Sequence, residues 1–198
     1  GEEACAADPA ILDSVGTGAQ WIIDPVDGTG NFAAGRTPFG IMIALAQGEE
    51  TVAGWIYDPL NQRMCHAVRG GGAFINGERV HARESGAGRP IAALATYFMS
   101  DEQRRDIEAR AADRFEIVDI PRCAAEQYPR LILGQNDISV FERTLPWDHA
   151  PGALLLSESG GKIARIDGTP YRLGDKRTGM LAASSPRLWD EAAQTLYG

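Results

Sequence analysis

Two aspartates, Asp24 and Asp27, sit close together in the segment Trp21-Ile22-Ile23-Asp24-Pro25-Val26-Asp27-Gly28-Thr29-Gly30-Asn31-Phe32. An apolar run ends in Asp24, which places that carboxylate at the mouth of a strand. Pro25 cannot continue a ladder and predicts a turn. Gly28 allows backbone geometry that other residues resist. Thr29 adds a hydroxyl, and the amides of Gly28 and Thr29 would face an anion if a helix starts there. Carboxylates crowded into one turn repel each other when ionised, and shared divalent cations relieve that repulsion. Two such ions about 3.5–4 Å apart can hold the attacking and leaving oxygens of a phosphoryl transfer. Magnesium takes about six oxygens, so two carboxylates, a carbonyl and a hydroxyl suit a half-site. The same spacing also suits an Asx-type turn in which both acids merely cap the backbone.

Two further acidic positions stand out. Gly1-Glu2-Glu3 opens the chain with adjacent carboxylates, and Leu145-Pro146-Trp147-Asp148 places Asp148 at the start of an apolar helix, as N-cap or as ligand. A second Asp-Gly-Thr, Asp167-Gly168-Thr169, has no acid just upstream and reads as a hairpin turn. An EF-hand is excluded, because its alternating acids and terminal Glu are missing. His66, His81 and His149 lack zinc-helix spacing. Cys5, Cys65 and Cys123 are far apart with no CxxC pair, which fits a reducing, cytoplasmic setting. Any metal should therefore be held by oxygen. The net charge of −8, from 27 acidic and 19 basic residues, argues against a nucleic-acid binder. It also means that an anionic substrate would need a cation in the site.

The elements that must position these acids are readable in outline. Gly40–Ala46, Thr51–Tyr57 and Arg63–Val68 form an antiparallel meander with short turns. Arg69-Gly70-Gly71-Gly72 is a hairpin turn, since no helix or Lys-Ser/Thr follows it. Glu84–Pro90 separates a layer over residues 1–84 from a second over 91–198, the two together forming one catalytic unit. Strands are expected at Ile91–Phe98, Glu116–Ile120, Asp137–Phe141, Lys162–Ile166 and Met180–Ala183. Helices are expected at Asp101–Arg114, Ala124–Leu133 (with Pro129 weakening it), Asp148–Ser159 and Pro186–Leu196, the last capped by Ser185. At 198 residues the chain can bury a real core, and it has no apolar run long enough to span a membrane. The pattern is that of a layered α/β or α+β enzyme.

Taken together, these pieces resemble the inositol monophosphatase family of magnesium-dependent, lithium-sensitive phosphatases, which also includes fructose-1,6-bisphosphatases and bisphosphate nucleotidases. The matching motifs are Gly1 to Glu3, Trp21 to Phe32 and Pro146 to Gly152. The GGAF-NG hairpin over Gly71 to Gly77 and the ESGG at Glu158 to Gly161 match as well. The resemblance implies an αβαβα sugar-phosphatase sandwich and hydrolysis of a small phosphate monoester, such as inositol monophosphate or a related polyol or sugar phosphate. Histidinol phosphate, fructose 1,6-bisphosphate and a 3'(2'),5'-bisphosphate nucleotide are the alternatives. A non-catalytic RNA- or transcription-associated member is the alternative of another class. Implied cofactors are two or three Mg2+ ions, replaceable by Mn2+ and antagonised by Li+; the implied assembly is a homodimer.

The roles carry over as follows. Glu2, Asp24, the Val26 carbonyl, Asp27 and Asp148 would ligate metal, with Asp24 bridging two ions. Thr29 and Glu2 would orient and deprotonate the attacking water. The amides of Gly28 and Thr29 would cradle the phosphate, close to Asp27 and Asp148. Gly30 stands where relatives carry a hydroxylic or basic residue. Arg122-Cys123-Ala124-Ala125-Glu126-Gln127-Tyr128 replaces the small residues that admit a sugar, which makes Glu126 and Gln127 candidate substrate contacts. Glu142 falls near a sugar-contacting Glu, and Tyr128 with Arg130 would be the platform for a nucleotide. Relatives carry a leading segment of two long helices and another acid before GEE. A truncated chain, with one sheet face bare, is therefore expected.

Overall fold

The computed structural model describes residues 2–198; Gly1 of the GEE motif lies outside them. The chain opens with a short helix, α1 (Glu2–Ala7), and a 3-10 turn over Pro9–Ser14 capped by Asp8. Six strands follow: β1 (Ala19–Asp27), β2 (Gly40–Gln47), β3 (Glu50–Asp58), β4 (Arg63–Val68), β5 (Gly72–Ile75) and β6 (Glu78–Val80). They pair in sequence order as one antiparallel sheet. A five-residue helix, α2 (Thr29–Ala33), is inserted after β1.

The remainder builds a second sheet from β7 (Ile91–Ala95), β8 (Glu116–Val118), β9 (Ile138–Phe141), β10 (Lys162–Arg165) and β11 (Met180–Ala183), in the order β10-β11-β9-β7-β8. The β7 pairs are parallel and the others antiparallel. Its helices are α3 (Asp101–Ala112), α4 (Ala124–Ile132), α5 (Pro146–Glu158) and α6 (Pro186–Tyr197). Ser100 and Gln103 form a capping box on α3, and Ser185 caps α6 with Pro186 in its first turn.

Helices α4 and α5 lie between the sheets. α5 contacts β1 through β5 and also β10, while α4 contacts β2, β3 and β9. α3 and α6 cover the far side of the second sheet. Among the described residues the layers therefore run β-α-β-α. The buried centre joins Met42 and Ile56 of the first sheet to Tyr128, Leu131, Leu154 and Leu155 of the helices. Gly152 is required there: a Cβ on it would meet the Tyr128 ring at 2.0 Å. A second cluster, including Leu94, Ile138, Leu181 and Trp189, fills the space under α3 and α6. The segment between β6 and β7 is anchored by Asp137, whose carboxylate accepts from Ser85 and from the Ile91 amide at 2.8 Å. The outer face of the first sheet is left open and exposes Trp21, Ile23, Ile41, Met64 and Val68. Among the described residues, no helix is long and apolar enough to cross a membrane.

Several expected boundaries differ, such as β8 ending at Val118 and α3 at Ala112, and three of the differences bear on the site. β1 does not stop at Asp24; it runs through Pro25 to Asp27, with a register break between the two acids. The break takes Pro25 out of regular pairing, so its missing N–H costs nothing there. β7 ends at Ala95 rather than Phe98, and Tyr97 and Phe98 fall in a turn. Helix α5 begins at Pro146, whose fixed φ suits the first helical position. Asp148 is thus inside the first turn and is not the N-cap. The cap is Leu145, which makes no side-chain bond to the helix.

Candidate metal and active site

Asp24, Asp27 and Asp148 converge, with one carboxylate oxygen from each lying within 4.8 Å of the others. The pleat of β1 and its break aim both of that strand's acids inward, and Asp24 and Asp27 are buried. Asp148 arrives from the first turn of α5. Each acid is held by its own partners. The Val26 amide donates to Asp24 Oδ1 at 3.0 Å. Asp27 Oδ2 accepts from the Ala125 amide at 2.7 Å and from the Cys123 thiol at 3.0 Å, both at the start of α4. Arg143 stands 3.5 Å from Asp148.

Gly28 makes the turn from β1 into α2. Its φ of +82° is left-handed, and a Cβ would lie 3.0 Å from the Pro38 carbonyl and 3.2 Å from Cys123 Cβ. Asn31 then ties α2 down, its Nδ2 donating to the carbonyls of Pro38 and Pro121 at 2.9 and 3.0 Å. Thr29 opens α2 with its side chain exposed. On the other wall, Tyr128 Oη and His149 Nδ1 are 2.8 Å apart, and His149 Nε2 lies 2.9 Å from the Arg143 carbonyl. A carbonyl only accepts, so Nε2 carries the hydrogen and Nδ1 accepts from Tyr128. Burial pushes His149 down to about 4, which agrees with a neutral ring.

The electrostatics are those of a site short of positive charge. Burial, then the charges of Asp27, Glu2 and Asp148, raise Asp24 to about 8. Burial and the Asp27 charge raise Asp148 to about 7 against the pull of Arg143. Burial also raises Asp27, in spite of its hydrogen bonds. Three crowded carboxylates that resist ionisation together suit hard, oxygen-seeking divalent cations, which would relieve their repulsion. The donor set therefore fits magnesium or manganese.

These acids border a cleft of about 290 Å³ that is also lined by Glu2, Val26, Gly28, Thr29 and Gln127. Glu2, at the start of α1, is half-buried and stands outside the tight trio. Gln127 is 3% exposed and donates to Ser139 Oγ at 2.7 Å. Glu126 does not line the cleft. It is engaged by Arg63 and, at 2.8 Å, by Arg130, which directs it away. Tyr128 is fully buried beneath Gly152, and Arg130 is held by Glu126, so this pair cannot present a platform. Glu142 does line the cleft.

Sequence reading passed over Asn31, Cys123, Arg36, Tyr97, Phe98 and Arg143 as site residues. Asn31 lies four residues after Asp27 in the same motif, which was the available signal for it; nothing local to Cys123 shows that it would reach Asp27.

An acid trio delivered by a bulged strand and a helix, at a cleft between two sheets, is a cluster that could hold a divalent cation. A model of the inositol monophosphatase family matches residues 1–197, and the chain belongs to that family. It is 32% identical over 157 residues to the inositol-1-monophosphatase of Bacillus subtilis, covering 78% of this chain and 59% of that protein. It is 31% identical over 193 residues to the Nus factor SuhB of Vibrio cholerae, covering 92% of this chain and 68% of that protein. Its fold matches an inositol monophosphatase structure from Zymomonas mobilis with a TM-score of 0.80 and 23% identity, over 90% of this chain and 70% of that one. The chain thus spans about three-fifths to two-thirds of the length of these curated relatives.

Proposed function

We propose that this chain carries the active site of a magnesium-dependent phosphatase that hydrolyses a small phosphate monoester with water. The observation that carries this reading is the trio Asp24, Asp27 and Asp148, brought within 4.8 Å of one another at the cleft and raised in pKa. Glu2, Asp24, the Val26 carbonyl, Asp27 and Asp148 would hold the ions. Bound magnesium supplies concentrated positive charge, which lowers the cost of placing water and a phosphate side by side.

The chain's own groups then do the rest. The Thr29 hydroxyl and the Glu2 carboxylate orient the attacking water, and its proton goes to the Glu2 carboxylate. The amides of Gly28 and Thr29 face the phosphate oxygens, because the left-handed Gly28 turns the backbone into the cleft. Thr29 and Gly30 are the first residues of α2, where amides have no partner within the helix. Cys123 and the Ala125 amide fix one oxygen of Asp27. His149 and Tyr128 hold the loop before α5, and with it Asp148.

The direct test is phosphate release from a set of monoesters with and without Mg2+. Metal-dependent release that falls more than about 100-fold in Asp24→Asn is expected, beyond the loss typical of outer-shell partners. Metal-independent release, or full activity in Asp24→Asn, would overturn the proposal. Likeness to a protein named Nus factor supports a second reading, a non-catalytic role beside the transcription machinery. No turnover with any metal, together with binding to such machinery, would favour it.

A further inference from the structure

We infer that Arg165 is a positioning residue for the acid trio: buried behind the cleft, it fixes the chain over 142–145 through Thr144 and so sets where Asp148 stands. The inference rests on the metal-site reading above and adds a residue that touches neither metal nor substrate.

Asp148 lies in the first turn of α5, and the start of that helix is not secured by its own cap, since Leu145 offers no side-chain bond. The chain just before it, residues 142–145, belongs to no helix or strand, although Glu142 and Arg143 line the cleft. Its place is therefore set by bonds from outside. One comes from α5 itself, where His149 Nε2 reaches the Arg143 carbonyl at 2.9 Å. The others come from β10 and the loop after it, residues 166–179. The Gly179 amide donates to the Glu142 carbonyl at 2.9 Å. The Thr144 hydroxyl donates to the Arg177 carbonyl at 2.9 Å and accepts from Arg165 Nη1 at 2.9 Å.

Arg165 ends β10 and is 2% exposed. Its Nε pairs with Asp175 at 3.1 Å, and its Nη1 also reaches the Gly179 carbonyl at 3.4 Å. Its guanidinium lies 5.2 Å from the Tyr171 ring centre. A guanidinium keeps its charge when buried, and an apolar side chain of like volume would fill the same space at lower cost. What the rigid fork supplies is direction, because it joins the Asp175 loop to Thr144, four residues before Asp148. The anchored loop reaches the other end of the site as well. Lys176 pairs with Asp13 in the 3-10 turn that follows α1 and Glu2.

Mn2+ binding to the metal-free protein, followed by calorimetry and by the electron paramagnetic resonance of the free ion, tests the inference without turnover. Thr144→Val keeps the shape and removes the hydroxyl that Arg165 holds. It should weaken Mn2+ binding about tenfold, the low end of the loss for groups that orient a metal ligand. Arg165→Met should do the same, and the double variant should be no weaker than Arg165→Met by more than about twofold, since both break one link. Thr144→Ser keeps the hydroxyl and should stay within about twofold of wild type. Leu196→Ala, in the core under α3 and α6, should lower the melting temperature and leave the affinity unchanged. In a phosphate-release assay, Thr144→Val should raise the Mg2+ concentration for half-maximal rate and recover most of kcat at saturating Mg2+.

Affinity unchanged within about twofold in Thr144→Val, or in Arg165→Met if it folds, would overturn the inference even where the variant melts earlier. An equal loss in Thr144→Ser or in Leu196→Ala would overturn it too, the first because the hydroxyl is then not the link, the second because any loosening would suffice. If Arg165→Met does not fold, the two Thr144 variants decide. Wild-type protein that binds Mn2+ and releases no phosphate ends the phosphatase reading, and the affinities still decide the role of Arg165. Wild-type protein that binds no Mn2+ overturns both.

Discussion

The chain contains the tripeptide Asp-Gly-Thr twice, at 27–29 and at 167–169, and the two copies are put to opposite uses. In the second, Asp167 Oδ1 accepts from the Thr169 amide at 2.9 Å and from the Thr169 hydroxyl at 2.6 Å. Arg177 completes the pairing at 3.0 Å. That carboxylate is satisfied by its own turn and is held below its usual pKa, first by the Thr169 hydroxyl and amide. In the first copy, Asp27 is buried, bonded to residues nearly a hundred positions away, and raised in pKa. Thr29 is left exposed at the cleft. The same three residues make a closed turn where the charge is answered locally, and an unfinished site where it is not.

The sharpest way to break this comparison is paired substitution. Asp24→Asn, in the extended first motif, should abolish metal-dependent turnover by more than about 100-fold. Asp167→Asn should leave it within about twofold, as a steady-state phosphate assay would read. The glycines give the next contrast. Gly28→Ala combines left-handed strain with contacts at 3.0 and 3.2 Å and should cost about 2–4 kcal/mol in denaturant unfolding. Gly168→Ala has the same sign of φ but only Trp189 at 3.9 Å, and should cost about 1–2 kcal/mol.

A third test uses pH. Asp24 and Asp148, raised from 3.8 to about 8 and about 7, bind protons more tightly in the folded protein than in the unfolded chain. Their contribution is full below pH 4 and is lost as pH rises through 7 to 8. The metal-free protein should therefore melt at a lower temperature at pH 8 than at pH 6, and saturating Mg2+ should flatten the slope. Asp167 has the opposite sign, since its lowered pKa gives stability above its unfolded value that is lost in acid. Asp167→Asn should steepen the loss at pH 8 relative to pH 6 by nothing measurable. A change there would mean that the local turn is not self-contained. The smallest effect belongs to Thr169→Ala, about 0.5–1 kcal/mol of stability with turnover unchanged.

Much of this arrangement was legible in the residues. Apolar runs joined by short turns marked the meander of β2 to β4, although the run in β2 alternates between buried and open faces rather than being covered on both, and Ser185-Pro186 marked the start of α6. The acids at 24, 27 and 148 could be named as a set before any coordinates only through the likeness of the motifs at Trp21 to Phe32 and Pro146 to Gly152 to a known family; spacing alone left turn and helix caps open. What stayed hidden depended on long-range partners. Nothing local to Glu126 shows that Arg63 would reach it, so its type suggested a substrate contact that its ion pairs prevent. Tyr97 and Phe98 continue the apolar pattern of β7, yet the capping box at Ser100 ends the ladder early and leaves both rings in the cleft. Asp148 looked like a cap because Asp caps well, but Pro146 had already claimed the first helical position.

The open outer face of the first sheet divides the four tryptophans. Trp147 and Trp189 are buried, whereas Trp21 is 59% exposed and its ring centre lies 6.0 Å from that of half-buried Trp55. Intrinsic fluorescence should consequently contain two populations, a blue component shielded from acrylamide and a red one that the quencher reaches. Any molecule that settles on this face would convert the second population into the first, so an emission shift reports its coverage without a label.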